Sequence, residues 1–139
     1  MYRMGRRPAL ALGLAAAATP ALPMGAVAQM QVPGPDEGEE LAPGVRLMQY
    51  GKGPSIVPAY KSLSLFDIVF QPGSHLPQDT MENDMVCHMA EGELRVMQSG
   101  KEFRFKKGDV WSCATGTTEE DWNEGSTVAV MRVIDLLTT

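Results

Sequence analysis

Past residue 44 the apolar residues of this chain fall into short runs, cut by turn residues, with a spacing of two rather than three or four. Residues 62–71, SLSLFDIVFQ, form the strongest run. Leu63, Leu65 and Val69 share one parity with Asp67, and Phe66, Ile68 and Phe70 share the other. Apolar side chains on both parities predict a strand covered on both faces. Residues 45–50, 85–90, 93–98, 102–106, 110–114 and 127–137 read as further strands. Ser99-Gly100 predicts a tight hairpin turn, and Phe103 and Phe105 share a face on the returning strand. Lys107-Gly108-Asp109 and Asn123-Glu124-Gly125 read as turns, and residues 115–120 as a polar loop. No stretch after residue 28 has a convincing helical period. Short strands at regular intervals predict an all-β sandwich or barrel.

The first 28 residues follow another pattern. Arg3, Arg6 and Arg7 precede an apolar run at residues 9–18, and Ala26-Val27-Ala28 supplies the small residues of a cleavage site. This is the form of a secretory signal peptide cut before Gln29. The apolar run is about half the roughly 20 residues that a membrane span needs. Arg6-Arg7 suggests the twin-arginine route, although the residues that follow fit that signal poorly. The expected location is therefore periplasmic or secreted. Residues 29–43, QMQVPGPDEGEELAP, are rich in Pro, Gly and acid and read as a flexible leader. Residues 44–139 are left as one small domain.

Loss of the three arginines leaves nine basic side chains against 17 acidic ones, a net charge of −8. Such a surface argues against nucleic acid and, after signal cleavage, against anionic membranes. Cys87 and Cys113 are the two cysteines, and an oxidising compartment permits a disulfide between them.

Two spaced patterns stand out. In the first, Gly73 is followed at fixed intervals by Asp79, Met81, Met85 and Gly92; in the second, Gly108 is followed by Ala114, Gly116, Glu119 and Asn123. These frames, joined by a hairpin and followed by a last strand, resemble the two motifs of the cupin family without insertion or deletion. The resemblance covers roughly residues 63–137. It implies a cupin-like jelly-roll barrel, also called a double-stranded β-helix, and a homodimer, since dimers are usual among cupins. In that family, two histidines and a glutamate of the first motif and a histidine of the second hold a metal. Here Asp79, Met81, Met85 and Glu119 occupy those places.

The resemblance also implies that these four side chains point into the barrel. Strand alternation adds Cys87 and Met89 to the inward set and turns His88 away. His75 is expected near the mouth. Iron, manganese or nickel would want imidazole and carboxylate, which this set lacks. A soft set of Met81, Met85, Cys87, Met89 and Cys113 would suit copper as Cu(I), giving a copper-handling protein. A metal-free interior would instead bind a small organic molecule, with Met81, Met85, Cys87, Met89 and Trp122 contributing to the site. Asp79 and Glu119 would be its polar anchors and candidate acid and base, with raised pKa values if buried, as in an isomerase or lyase. The favoured reading needs no cofactor. A third reading is a structural or regulatory module acting through a dimer surface.

Overall fold

The computed structural model describes residues 32–139, which contain ten strands and no helix. In chain order these are β1 Glu39–Ala42, β2 Val45–Pro54, β3 Ser62–Phe70, β4 His75–Thr80, β5 Asp84–Glu91, β6 Glu93–Gln98, β7 Lys101–Lys106, β8 Val110–Cys113, β9 Thr118–Trp122 and β10 Ala129–Leu137. A six-stranded sheet runs β1-β2-β3-β10-β5-β8, and a four-stranded sheet runs β4-β9-β6-β7. Every strand pairing is antiparallel. The expected signal peptide and the first residues of the leader lie outside the described residues.

β3 is covered on both faces: every residue from Phe66 to Phe70 is buried. Phe66, Ile68 and Phe70 face the interior with Val45, Met89, Leu94, Val96, Met131 and Val133. Asp67 has the opposite parity and is buried at the sheet's outer face. It accepts bonds from Arg132 Nε (2.9 Å), Arg132 Nη2 (3.0 Å) and Tyr50 Oη (2.8 Å). The two sheets are joined on one side by Phe105 of β7 and Trp111 of β8, whose rings stack at 3.9 Å. On the other side β1 and β4 face each other across the entrance to the interior.

Turn chemistry fixes the connections. Ser99 (φ 45°) and Gly100 (φ 82°) both take left-handed backbone, as a two-residue hairpin of the primed type requires. Gly92, at φ 72°, carries the chain from one sheet to the other. A Cβ there would meet Ala129 Cα and Val128 O at 2.8 Å, so only glycine fits. Asn123 ties the last turn down. Its Nδ2 donates to Phe70 O (3.0 Å) and Thr127 O (2.9 Å), and its Oδ1 accepts from Gly125 N (3.0 Å).

Three strands differ from the sequence expectation. β1 forms inside the expected leader, where Glu39, Glu40 and Ala42 pair with Leu47, Arg46 and Val45. The pairing on β2 outweighs the weak strand preference of EELA. β4 contains Pro77, which an edge strand tolerates because its outer N–H need not pair. β9, TEEDW, falls largely where a polar loop was expected. Its inward positions are Glu119 and Asp121, so apolar alternation does not reveal it.

Candidate functional site

β9 lies between β4 and β6 in the small sheet, and its alternation decides the site. Thr118, Glu120 and Trp122 share one parity, while Glu119, Asp121 and Asn123 share the other and are buried. Val96 and Gln98 of β6 pair with Asp121 and Glu119, and Leu76 and Asp79 of β4 pair with them from the other side. The register of β4 shifts between Leu76 and Asp79. Because of that bulge, Pro77, Gln78 and Asp79 all border the interior opening.

The interior is hollow at this end. A cavity of about 430 Å³ has walls of Leu47, Phe66, Ile68, Leu76, Met81, Met85, Met131 and Val133. Exposed Leu41, Pro77, Gln78 and Asp79 form its rim, and buried Glu119 and Asp121 form its polar floor. No Lys, Arg or His lines it among the described residues.

Glu119 is 4% exposed, and its Oε2 accepts from Gln98 Nε2 at 2.7 Å and from Cys113 Sγ at 3.0 Å. Asp121 is 2% exposed, and its Oδ1 has no hydrogen-bond partner. Burial, the charge of Glu119 and a hydrogen bond shared with Glu119 hold the Asp121 carboxyl well above the usual carboxylate range. Two carboxyl groups can share a hydrogen bond only if one carries a proton. Behind the floor, Cys87 and Cys113 are free thiols, both buried. A hydrogen bond with Cys113, together with burial, pushes the Cys87 thiol upward.

Asp79, Met81, Met85 and Glu119 all line this one cavity. Asp79 differs from the expectation of a buried anchor. It is exposed on the bulged edge strand, and its Oδ1 accepts from the Thr80 amide at 2.8 Å. Asp121 takes the buried place beside Glu119. Cys87 and Met89 face inward but are packed in the core behind the wall, with no surface on the cavity. The soft-metal set is accordingly divided: Met81 and Met85 reach the cavity, while Cys87, Met89 and Cys113 lie in the core. Trp122 sits on the outer face of β9. His75 stacks on it at 5.0 Å, and the Arg95 guanidinium lies 3.9 Å from its ring centroid. The residue after an inward Asp121 must point outward, so Trp122 cannot stack on a ligand in the barrel.

Asp121 is the site residue that the sequence reading missed. A signal for it existed: Glu119, Asp121 and Asn123 are two apart, the spacing that puts strand residues on one face.

Sequence comparison matches residues 69–130 to the family described as EutQ-like cupin domain. The domain has the cupin fold. Solved structures agree with this chain in fold. KdgF from a Halomonas species is 16% identical with a TM-score of 0.59, covering 72% of this chain and 86% of that one. An RmlC-like cupin from Shewanella frigidimarina is 17% identical with a TM-score of 0.58, covering 72% and 82%. The Cnp3 cupin domain of Schizosaccharomyces pombe is 16% identical with a TM-score of 0.57, covering 71% and 69%. No curated protein matches the chain in sequence.

The four motif positions Asp79, Met81, Met85 and Glu119 bring two carboxyl groups and two thioethers to the cavity. Neither histidine joins them. His75 bonds Glu120 on the outer face at 2.6 Å, and His88, beside Arg132 and Val110, shares the outward parity of β5. Among the described residues no group of three or more His, Cys, Asp or Glu side chains is arranged to hold a metal ion. This donor set does not fit the imidazole-rich sites of iron, manganese or nickel.

Proposed function

We propose that this cupin binds a small organic molecule in its barrel and that Glu119 and Asp121 exchange a proton with it. One observation carries the reading: an apolar cavity of about 430 Å³ is floored by the buried carboxyl groups of Glu119 and Asp121, and Asp121 Oδ1, itself closed to solvent, has no partner. A buried polar atom lacking a hydrogen bond is costly in a finished core and useful in a binding site. The volume lies within the range of small-molecule sites, and apolar walls with few polar groups are their usual composition.

The residues divide the work. Phe66, Ile68, Met131 and Val133 exclude water, which strengthens any hydrogen bond made at the floor. Asp121, protonated, donates to or accepts from a polar group of the ligand. Glu119 is the neighbouring base, held in place by Gln98 and Cys113. A proton passing from Asp121 to the ligand, and one returning through Glu119, constitutes acid–base chemistry of the isomerase or lyase type without a metal. Asp79 stands at the entrance. Export through a signal peptide and assembly as a homodimer accompany this proposal as expectations from the sequence and from the family.

Thermal-shift screening against small organic molecules, compared between the native chain and Val133→Phe, tests the binding reading. Ligands should raise the Tm of the native chain and leave the filled variant unmoved. Equal shifts in both proteins would place binding outside the barrel. If an activity is found, Glu119→Gln and Asp121→Asn should each reduce kcat by about a hundredfold or more.

A further inference from the structure

We infer that the cavity takes a cationic amine, a small apolar molecule ending in an ammonium group. This deepens the proposed function and rests on the barrel being a binding site. Among the described residues, every ionisable group facing the cavity is acidic: Glu119 and Asp121 on the floor and Asp79 at the rim. The strands packed against the floor add no base. β6 supplies Val96 and Gln98, β8 supplies Cys113, and β3 and β10 supply Phe66, Ile68, Met131 and Val133. The basic side chains near β9 are on the other side of the sheet, where Arg95 bonds Glu124 at 2.7 Å and His75 bonds Glu120 at 2.6 Å.

The unpartnered Asp121 Oδ1 supplies the second, independent observation. It is a buried acceptor on a side chain that lines the bottom of the cavity, and Glu119 Oε2 already accepts two bonds. The floor therefore lacks positive charge among the described residues. An ammonium provides three N–H donors and one positive charge on an atom small enough to reach both carboxyl groups. A carboxylate or phosphate ligand would bring a further negative charge into a low-dielectric space without a cation. A neutral alcohol would satisfy Oδ1 but leave the acidic floor without a counter-charge.

Three probes of one shape separate these cases: phenethylamine, phenethyl alcohol and hydrocinnamate, titrated calorimetrically near pH 7 into the full chain and into Asp121→Asn and Val133→Phe. The amine is expected to bind at least about tenfold more tightly than the alcohol, the difference expected of a charge-assisted hydrogen bond. Hydrocinnamate is expected not to bind. In Asp121→Asn the preference for amine over alcohol should shrink, and in Val133→Phe both should be lost. Equal binding of alcohol and amine, or tighter binding of hydrocinnamate, overturns the amine assignment while leaving the barrel as the site. Amine binding that survives Val133→Phe also overturns it, by putting the amine outside the barrel. Failure of all three probes to bind the native chain overturns the amine assignment together with the binding reading beneath it.

Discussion

Asp67 and Asp121 are both nearly fully buried, and their neighbours give them opposite characters. Asp67 has a guanidinium and a phenol on its oxygens. Asp121 has a second carboxyl, aliphatic walls and one empty acceptor site. The raised pKa of Asp121 has a thermodynamic sign. In the unfolded chain the group loses its proton near pH 3.8, while in the folded chain it keeps it to higher pH. Its stabilising share is complete below the unfolded value and is lost as pH rises through the folded one. Asp121→Asn removes this loss. The variant should be more stable than the native chain at pH 7, by about 1.4 kcal/mol for each unit of the shift, with the advantage vanishing near pH 4. Urea unfolding at pH 4 and 7 checks this, and a variant weaker than the native chain at pH 7 contradicts it. Asn123, two residues on, has the contrary role. Its side chain satisfies two carbonyls and one amide, and Asn123→Ala should cost on the order of 3 kcal/mol in the same measurement.

Among the elements, β3, β5, β6, β7, β8 and β10 were legible because apolar residues alternate along them or fill both faces. β9 was not, since the residues it turns inward are acids. The same cause hid Asp121 and misdirected Trp122. With residues 115–120 taken as a loop, no parity could be carried to position 122. Asn123 was correctly read as part of a turn, because that role depends on local hydrogen bonds and not on the strand before it. β1 and β4 depend on partners far along the chain, and local pattern has no access to them. The glycines of the first motif are similarly unequal. Gly92→Ala forces a methyl into the Ala129 backbone at φ 72°, and should lower stability by about 2–4 kcal/mol or prevent folding. Gly73→Ala meets nothing within 4 Å and should cost only about 1 kcal/mol of backbone strain. Thermal melts of the two variants distinguish steric from purely conformational need. Equal losses would contradict the tight approach of Gly92 to β10.

Across the whole molecule, charge is sorted by face. Among the described residues the cavity is lined by acids and no base, and the outer face of the small sheet pairs Arg95 and Arg104 with Glu124. The two motif frames made the cupin fold readable from sequence, since turn glycines and strand periods survive changes in the site. They also located four residues around one cavity. The occupancy of that cavity was not readable, because a hollow depends on side-chain volumes summed over several strands. Val133→Phe should fill it with little change in stability, within about 1.5 kcal/mol, whereas the same enlargement at fully packed Val96 should cost more. Unfolding curves for both variants check the contrast.

The account depends most on a protonated carboxyl at the floor of a hollow barrel. Carbon-13 NMR of the side-chain carboxyl groups, followed through a pH titration, observes that proton directly. The account predicts an Asp121 signal that remains protonated well above the usual carboxylate range. An Asp121 signal titrating near pH 4, like that of an exposed aspartate, would contradict it.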